Sequence, residues 1–236
     1  MPNYVTNKIY YSGSQSQIDD MLESIKNDVI GKGSIDFSKL VPRPVDLDIE
    51  AGSGTYRGMK EYIDFMDEYS KKNNIEDLSA FAIPIAAETV YLNEHKNIYK
   101  GDWILGRQAI RNTEKYGWPT WYEWNINNWG TKWNACGYDD EHNYADEEEL
   151  IFDTAWSPPH PILERLSEIY PKIHFKHEWA DEDLGQNCGR CEYIGGKRTE
   201  IYIPLNHDEA LEYACSVIGL DPEEYLNNDN KEDLIQ

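Results

Sequence analysis

The chain has 236 residues, 40% of them hydrophobic and 13% aromatic, enough for one large domain or two intimate ones. Acidic residues outnumber basic ones 44 to 22, giving a formal charge of −22. That balance disfavours direct nucleic-acid binding, which needs clustered Lys and Arg against phosphate, and no apolar run approaches the ~18 residues of a membrane span.

The opening Met-Pro-Asn-Tyr-Val lacks the basic and apolar regions of a signal peptide. Four cysteines, Cys136, Cys188, Cys191 and Cys215, make no disulfide framework. The expected setting is therefore a bacterial cytoplasm with reduced thiols, away from membranes. Composition specifies no oligomeric state.

In chain order, Tyr4 to Ser12 alternates and is rich in β-formers, so it predicts a strand. A helix follows from Ser14 or Ser16 to about Val29, with Ile18, Met21, Leu22 and Ile25 on one stripe. Residues 35–44 form an extended, proline-limited segment and 48–56 a loop. Arg57 to Asn73 is an amphipathic helix with Met59, Tyr62, Ile63, Met66 and Tyr69 on one face. Leu78 to Leu92 carries Pro84 and predicts a kinked or divided helix, and Trp103 to Lys115 a further one.

Tyr116 to Tyr138 holds five of the eight tryptophans and predicts a packing hub. Pro119 suits a first helical turn; Trp118, Trp121, Tyr122 and Trp129 then share a face with Ile126 beside them. Gly130 ends that helix, and Thr131 to Cys136 reads as a short strand. The acidic connector 139–149 leads to a strand at Leu150–Trp156, a helix from about Ile162 to Tyr170 and a strand at Lys172–Ala180. Gly195-Gly196 joins a hairpin of 188–194 with 198–203, and a last helix spans about Asp208 to Ile218.

These elements make an α+β protein: a split ferredoxin-like α/β sandwich with an antiparallel sheet and a long helical insertion. Its expected plan is a single domain over 1–236. The core comes from about 2–45 and 116–204, the insertion spans 57–115, and an acidic helix and tail fill 205–236.

No established catalytic motif is present: no G-x-S-x-G, Walker loop or dinucleotide fingerprint. Cys188-Gly-Arg-Cys191 precedes strand and turn rather than opening a helix, which does not suit a redox pair. As half a zinc site it would need His174, His177 or Cys136, and strand alternation puts His174 and His177 on opposite faces. The preferred reading is ordinary, partly buried cysteines, with no catalytic residue, metal or cofactor assigned. Glu178, Asp181, Glu182 and Asp183, with His177, could hold a divalent cation through carboxylates, but the preferred reading is a solvated loop after a strand.

The segments PNYVTNKIYYSG, IDFSKLVPRP, WYEWNINNWGTKWNA, FDTAWSPPHPILERLSEIYP and HEWADEDLGQNCG occur in that order. With them the chain resembles the YubB-type ferredoxin-like family of bacteriophage and conjugative-plasmid proteins, known mainly as a domain of unknown function. The likeness runs from about residue 2 to 203 and leaves out Arg57–Lys115 and everything beyond Pro204. It implies a ferredoxin-like topology, not an iron–sulfur protein, and residence on mobile elements; it transfers no catalytic residue.

The expected function is a non-enzymatic accessory protein that binds a host or defence protein through an acidic surface. In the sharper case it imitates nucleic acid towards a nucleic-acid-binding partner. Asp139, Asp140, Glu141, Glu147, Glu148 and Glu149 of the connector are the candidate contacts, with the tail from Asp208 as the other candidate surface. The alternative is a small-ligand module or hydrolase with a pocket beside the hub, lined by Asn125, Asn128, Trp129, Lys132 and Trp133.

Overall fold

The computed structural model describes residues 3–76, 83–138, 149–223 and 225. The chain forms two compact units, Met1–Pro42 with Asn125–Gln236, and Arg43–Trp124. Helix α6 (Trp121–Asn128) contains the point in sequence where one gives way to the other. The aromatic stretch is thereby divided: Trp121, Tyr122 and Trp124 belong to the helical unit, Trp129 and Trp133 to the other.

The first unit is built on an antiparallel sheet of five strands in the order β2-β1-β3-β4-β5. They are β1 (Tyr4–Ser12), β2 (Glu149–Ala155), β3 (His174–Asp181), β4 (Gly189–Ile194) and β5 (Lys197–Tyr202). The N-terminal strand lies between two strands from the C-terminal part, pairing Ile9 with both Leu150 and His177. β2 and β3 therefore run parallel to one another across β1, joined by α7 (His160–Ile169), which is a split β-α-β unit. Alternation fixes the register: Val5, Asn7, Ile9 and Tyr11 are buried while Thr6, Lys8 and Tyr10 are not. A slip of one residue would expose the whole apolar set.

On the inner face lie α1 (Gln15–Ile25), the short α2 (Phe37–Leu40) and α7. Phe37 stands edge-on to Phe152 of β2, ring centres 5.9 Å apart, and edge-on to Trp129 at 6.0 Å. Each such fully buried side chain is worth about 1.5–3 kcal/mol. The Ser24 and Tyr170 hydroxyls, 2.6 Å apart, tie α1 to the end of α7. On the outer face α8 (His207–Ile218) covers the end of β3, packing Ala210, Ala214 and Val217 on Ala180 and Cys188. The Gly195-Gly196 turn has positive φ at both positions, as a tight hairpin requires.

Several local expectations are corrected. α1 stops at Ile25 rather than Val29 because Asn27 Oδ1 accepts from the amides of Val29 and Ile30, folding the chain into a turn. The proline-limited segment hides α2, whose first turn is capped by Asp36 accepting from Ser38 N at 2.9 Å. Thr131–Cys136 is not a strand. Its side chains are committed elsewhere: Thr131 donates to Ala155 O at 2.8 Å and Asn134 to Asp36 at 2.7 Å, leaving only a Cys136–Asp153 bridge.

The second unit contains α3 (Ser53–Asn73), α4 (Ile85–Glu94) and α5 (Lys100–Tyr116). α3 starts ahead of the expected Arg57, and Pro84 stands at the N-cap of α4 rather than inside a helix. α3 and α5 meet at two glycines: a Cβ on Gly58 would lie 1.8 Å from Asp102 O, and one on Gly106 1.9 Å from Gly58 C. The core holds Tyr62, Phe65, Tyr91, Trp103 and Ile110. Buried Glu88 accepts there from Tyr62, Trp103 and Arg107, the last at 2.9 Å. Among the described residues no helix is long and apolar enough to cross a membrane.

Candidate functional site

The strands that build the core on one side present a different chemistry on the other. Two rows cross the outer face. Register places Glu149, Tyr10, Lys176, Glu192 and Thr199 in one, and Ile151, Lys8, Glu178, Arg190 and Tyr202 in the next. Lys176 bonds Glu178 at 2.7 Å and sits 5.1 Å from the centre of the Tyr10 ring. His174 pairs with Glu192 at 2.9 Å, and the Arg190 guanidinium lies 5.1 Å from the Tyr202 ring.

These groups are neither buried nor free. Side-chain exposure is 39% for Lys176, 32% for Glu192 and 16% for Glu178, so their charges are partly desolvated and still reachable. Burial, and then the carboxylates of Glu149 and Glu178, push the Tyr10 phenol up to about 12, so it remains a proton donor at neutral pH. The β4–β5 register shifts between Arg190 and Glu192. Beside that irregularity a concavity of about 350 Å³ opens, lined by Lys176, Arg190, Cys191, Glu192, Glu200, Ile201 and Tyr202.

Beneath the same strands lies a second cluster. His177 of β3 is paired across the sheet with Cys191 of β4, and His160, at the start of α7, comes down onto them. The His160 ring centre is 5.6 Å from that of His177 and 4.9 Å from Trp179. One donor atom from each of His160, His177 and Cys191 falls within 4.8 Å of the other two. His160 Nδ1 is 2.6 Å from the Tyr193 hydroxyl.

Burial sets the protonation here. It holds His160 down at about 4, with Arg198 adding to the effect, and holds His177 well below the usual histidine range, with His160 and Arg198 as lesser causes. Burial also pushes the Cys191 thiol up. At neutral pH the cluster is therefore two neutral imidazoles and a thiol.

Sequence spacing brings His177 and Cys191 into consideration but not His160, in the segment Ser157-Pro-Pro-His-Pro161, because nothing local marks which of those residues faces the sheet. Cys188 does not join: it lies just ahead of β4 and turns to α8, its sulfur 3.4 Å from Ala210 O. His174 likewise faces outward, and Cys136 is engaged with Asp153.

The residues expected to line a pocket beside the hub are placed as follows. Asn125 is 1% exposed and donates to Lys132 O at 2.8 Å; Trp129 is 3% exposed and donates to Val41 O at 2.9 Å. Both brace the loop that follows α6. Asn128, Lys132 and Trp133 are half-buried, with Lys132 Nζ 4.7 Å from the centre of the Trp133 ring. Trp124, not expected to be on the buried side, is buried, whereas Tyr122 and Ile126 are exposed. Of the acidic candidates, Asp139, Asp140, Glu141, Glu147 and Glu148 lie outside the described residues, and Glu149 opens β2 on the outer face.

Residues 129–221 match the family model described as the ferredoxin-like domain in Api92-like protein. That stretch holds β2 to β5, α7 and α8, so the sheet described above is a ferredoxin-like domain whose β1 strand comes from outside the match. Among solved structures, the crystal structure of protein Api92 from Yersinia pseudotuberculosis is similar to this chain. The alignment covers 86% of this chain and 98% of that one, with 11% identity and a TM-score of 0.40. No curated protein matches.

Proposed function

We propose that the chain is a non-enzymatic accessory protein that binds a basic protein of the host cell, and that the outer face of the sheet is the contact surface. The observation that carries this reading is the asymmetry of the sheet. One face is covered by α1, α2 and α7, while the other, beyond the end that α8 covers, presents Glu149, Glu178, Glu192 and Glu200 around Tyr10 and Tyr202, with Lys8, Lys176 and Arg190 between them, beside a concavity of about 350 Å³. Aromatic rings among partly desolvated carboxylates are the chemistry that engages Arg and Lys of a partner. The net charge of −22 steers such a partner from a distance.

The resemblance to YubB-type proteins of phages and plasmids supports a host or defence protein as the partner, and a nucleic-acid-binding one in the mimic case. The test is capture from bacterial lysate by the full chain and by the variant Glu149→Lys/Glu192→Lys/Glu200→Lys. The expected partner is retained by the wild type alone, is released as salt shortens the reach of charge to about 3 Å at 1 M, and in the mimic case is competed off by DNA or RNA. Equal retention by both proteins refutes the surface.

A second reading, a small-ligand module, is favoured by one observation in the helical unit. Between α3 and α4 lies a cavity of about 220 Å³ floored by Phe65, Tyr69 and Tyr91 and rimmed by Glu68, Lys72 and Glu94. A thermal-shift screen tests it, since a bound ligand raises the melting temperature by mass action; an unresponsive melting curve dismisses it.

A further inference from the structure

We propose that His160, His177 and Cys191, under the sheet, form a binding site for one thiophilic first-row transition-metal ion of the zinc type. The inference stands apart from the outer-face reading, since it concerns the opposite side of the same strands.

Geometry comes first. Three donor atoms mutually within 4.8 Å leave a point between them no more than about 2.8 Å from each, against zinc bonds of about 2.0–2.3 Å. Small side-chain rotations close that gap. The cluster is drawn from two paired strands and the first turn of a helix, so its backbone is held by the fold rather than by a loop.

The second observation is independent of spacing. His177 is fully buried, and its Nδ1 has no hydrogen-bond partner. The other ring nitrogen, Nε2, is 3.0 Å from Asn7 Oδ1. Asn7 cannot be turned round, because its amide nitrogen already donates to Val5 O at 2.8 Å and to Thr154 Oγ1 at 2.9 Å. Its oxygen therefore faces the ring, Nε2 carries the proton, and Nδ1 keeps a bare, buried lone pair for a ligand to use. An imidazole oriented by a carbonyl-type acceptor on its far nitrogen is the arrangement that ligating histidines use.

A buried acceptor left without a partner is costly unless something fills the role. A cation does so here. Tyr193 supports His160, its hydroxyl 2.6 Å from Nδ1. Two neutral imidazoles and a thiolate suit zinc, cobalt or copper rather than magnesium or calcium, which take oxygen. On binding, the Cys191 S–H bond gives way to a sulfur–metal bond and the proton leaves to solvent. Three protein ligands leave a fourth position on a tetrahedral ion.

Cobalt(II) added to the full-length, metal-stripped chain is the test, read by absorption and by calorimetry, with zinc as competitor. The expected result is one ion per chain, a thiolate-to-cobalt charge-transfer band, and loss of the band when zinc is added. Cys191→Ala, in which a small apolar side chain replaces a buried thiol, abolishes the band, and Cys188→Ala, on the opposite face, keeps it. Cobalt binding with no thiolate band would mean that surface carboxylates alone hold the ion and would overturn the proposal. So would an undiminished band in Cys191→Ala, or the absence of any binding by the wild type.

Discussion

Replacing Gly58 by Ala tests the helical unit at its tightest point. The added methyl would meet the carbonyl oxygen of Asp102 at 1.8 Å and its carbon at 2.4 Å, both backbone atoms of α5, so no rotamer relieves the clash. The helices must part by more than an ångström around Gly106, whose own Cβ position falls 1.9 Å from Gly58 C. Overpacking of this kind costs about 1–3 kcal/mol, and contact with rigid backbone puts Gly58→Ala at the upper end. Ala regains up to about 1 kcal/mol of helix propensity, leaving a net loss of about 1–2 kcal/mol. Gly101→Ala is the control: its methyl meets only the ring of exposed Tyr99, so that ring swings away and stability holds or rises slightly. Urea unfolding followed by tryptophan fluorescence reads both. If Gly58→Ala unfolds within about 0.5 kcal/mol of the wild type, the glycine crossing is wrong.

Arg107→Met strands the buried Glu88 carboxylate with only Tyr62 and Trp103 as donors, and should lower stability by about 2–4 kcal/mol, seen as a fall in melting temperature. Asn206→Ala removes the side chain that accepts from Glu209 N at 3.0 Å, and should cost about 1 kcal/mol with faster amide exchange in the first turn of α8. His160, held down at about 4 in the folded metal-free chain, binds a proton more readily when unfolded. The stability tied to its neutral form is therefore complete above about 6.5 and falls as pH drops toward about 4, by roughly 1–3 kcal/mol. His160→Asn should flatten that part of a chelator-treated stability–pH curve; an unchanged slope would contradict the burial of the ring.

Much of the sheet was legible because its strands alternate cleanly. Tyr4–Ser12 and Gly189–Ile194 carry period-two burial, the Gly195-Gly196 pair carries the turn chemistry, and the helices of the middle region announce themselves by their stripes. What was hidden is non-local. The stop of α1 is the exception, a local turn on Asn27 that the residue type permits, whereas nothing near Thr131 says that its hydroxyl will be spent on Ala155. The indole-rich stretch suggested one hub by spacing, yet its rings belong to two units, because the contacts that sort them come from Phe37 and Val41, far away in sequence. The outer face was invisible for the same reason: only the register brings Glu149, Tyr10, Lys176 and Glu192 into one row. His160 joins His177 and Cys191 across two elements, so no spacing rule could have found the set.

On the proposed reading another protein docks on the outer side of the sheet, on the part that α8 leaves open. Photo-crosslinking tests it most directly, with a photoreactive residue placed at Thr199 on the outer face or at exposed Gln15 on α1, in living bacteria. The account predicts a discrete crosslinked protein from position 199, lost when Glu149 and Glu192 are changed to Lys, and none from position 15. Crosslinks from α1 alone, or from neither position, would contradict it.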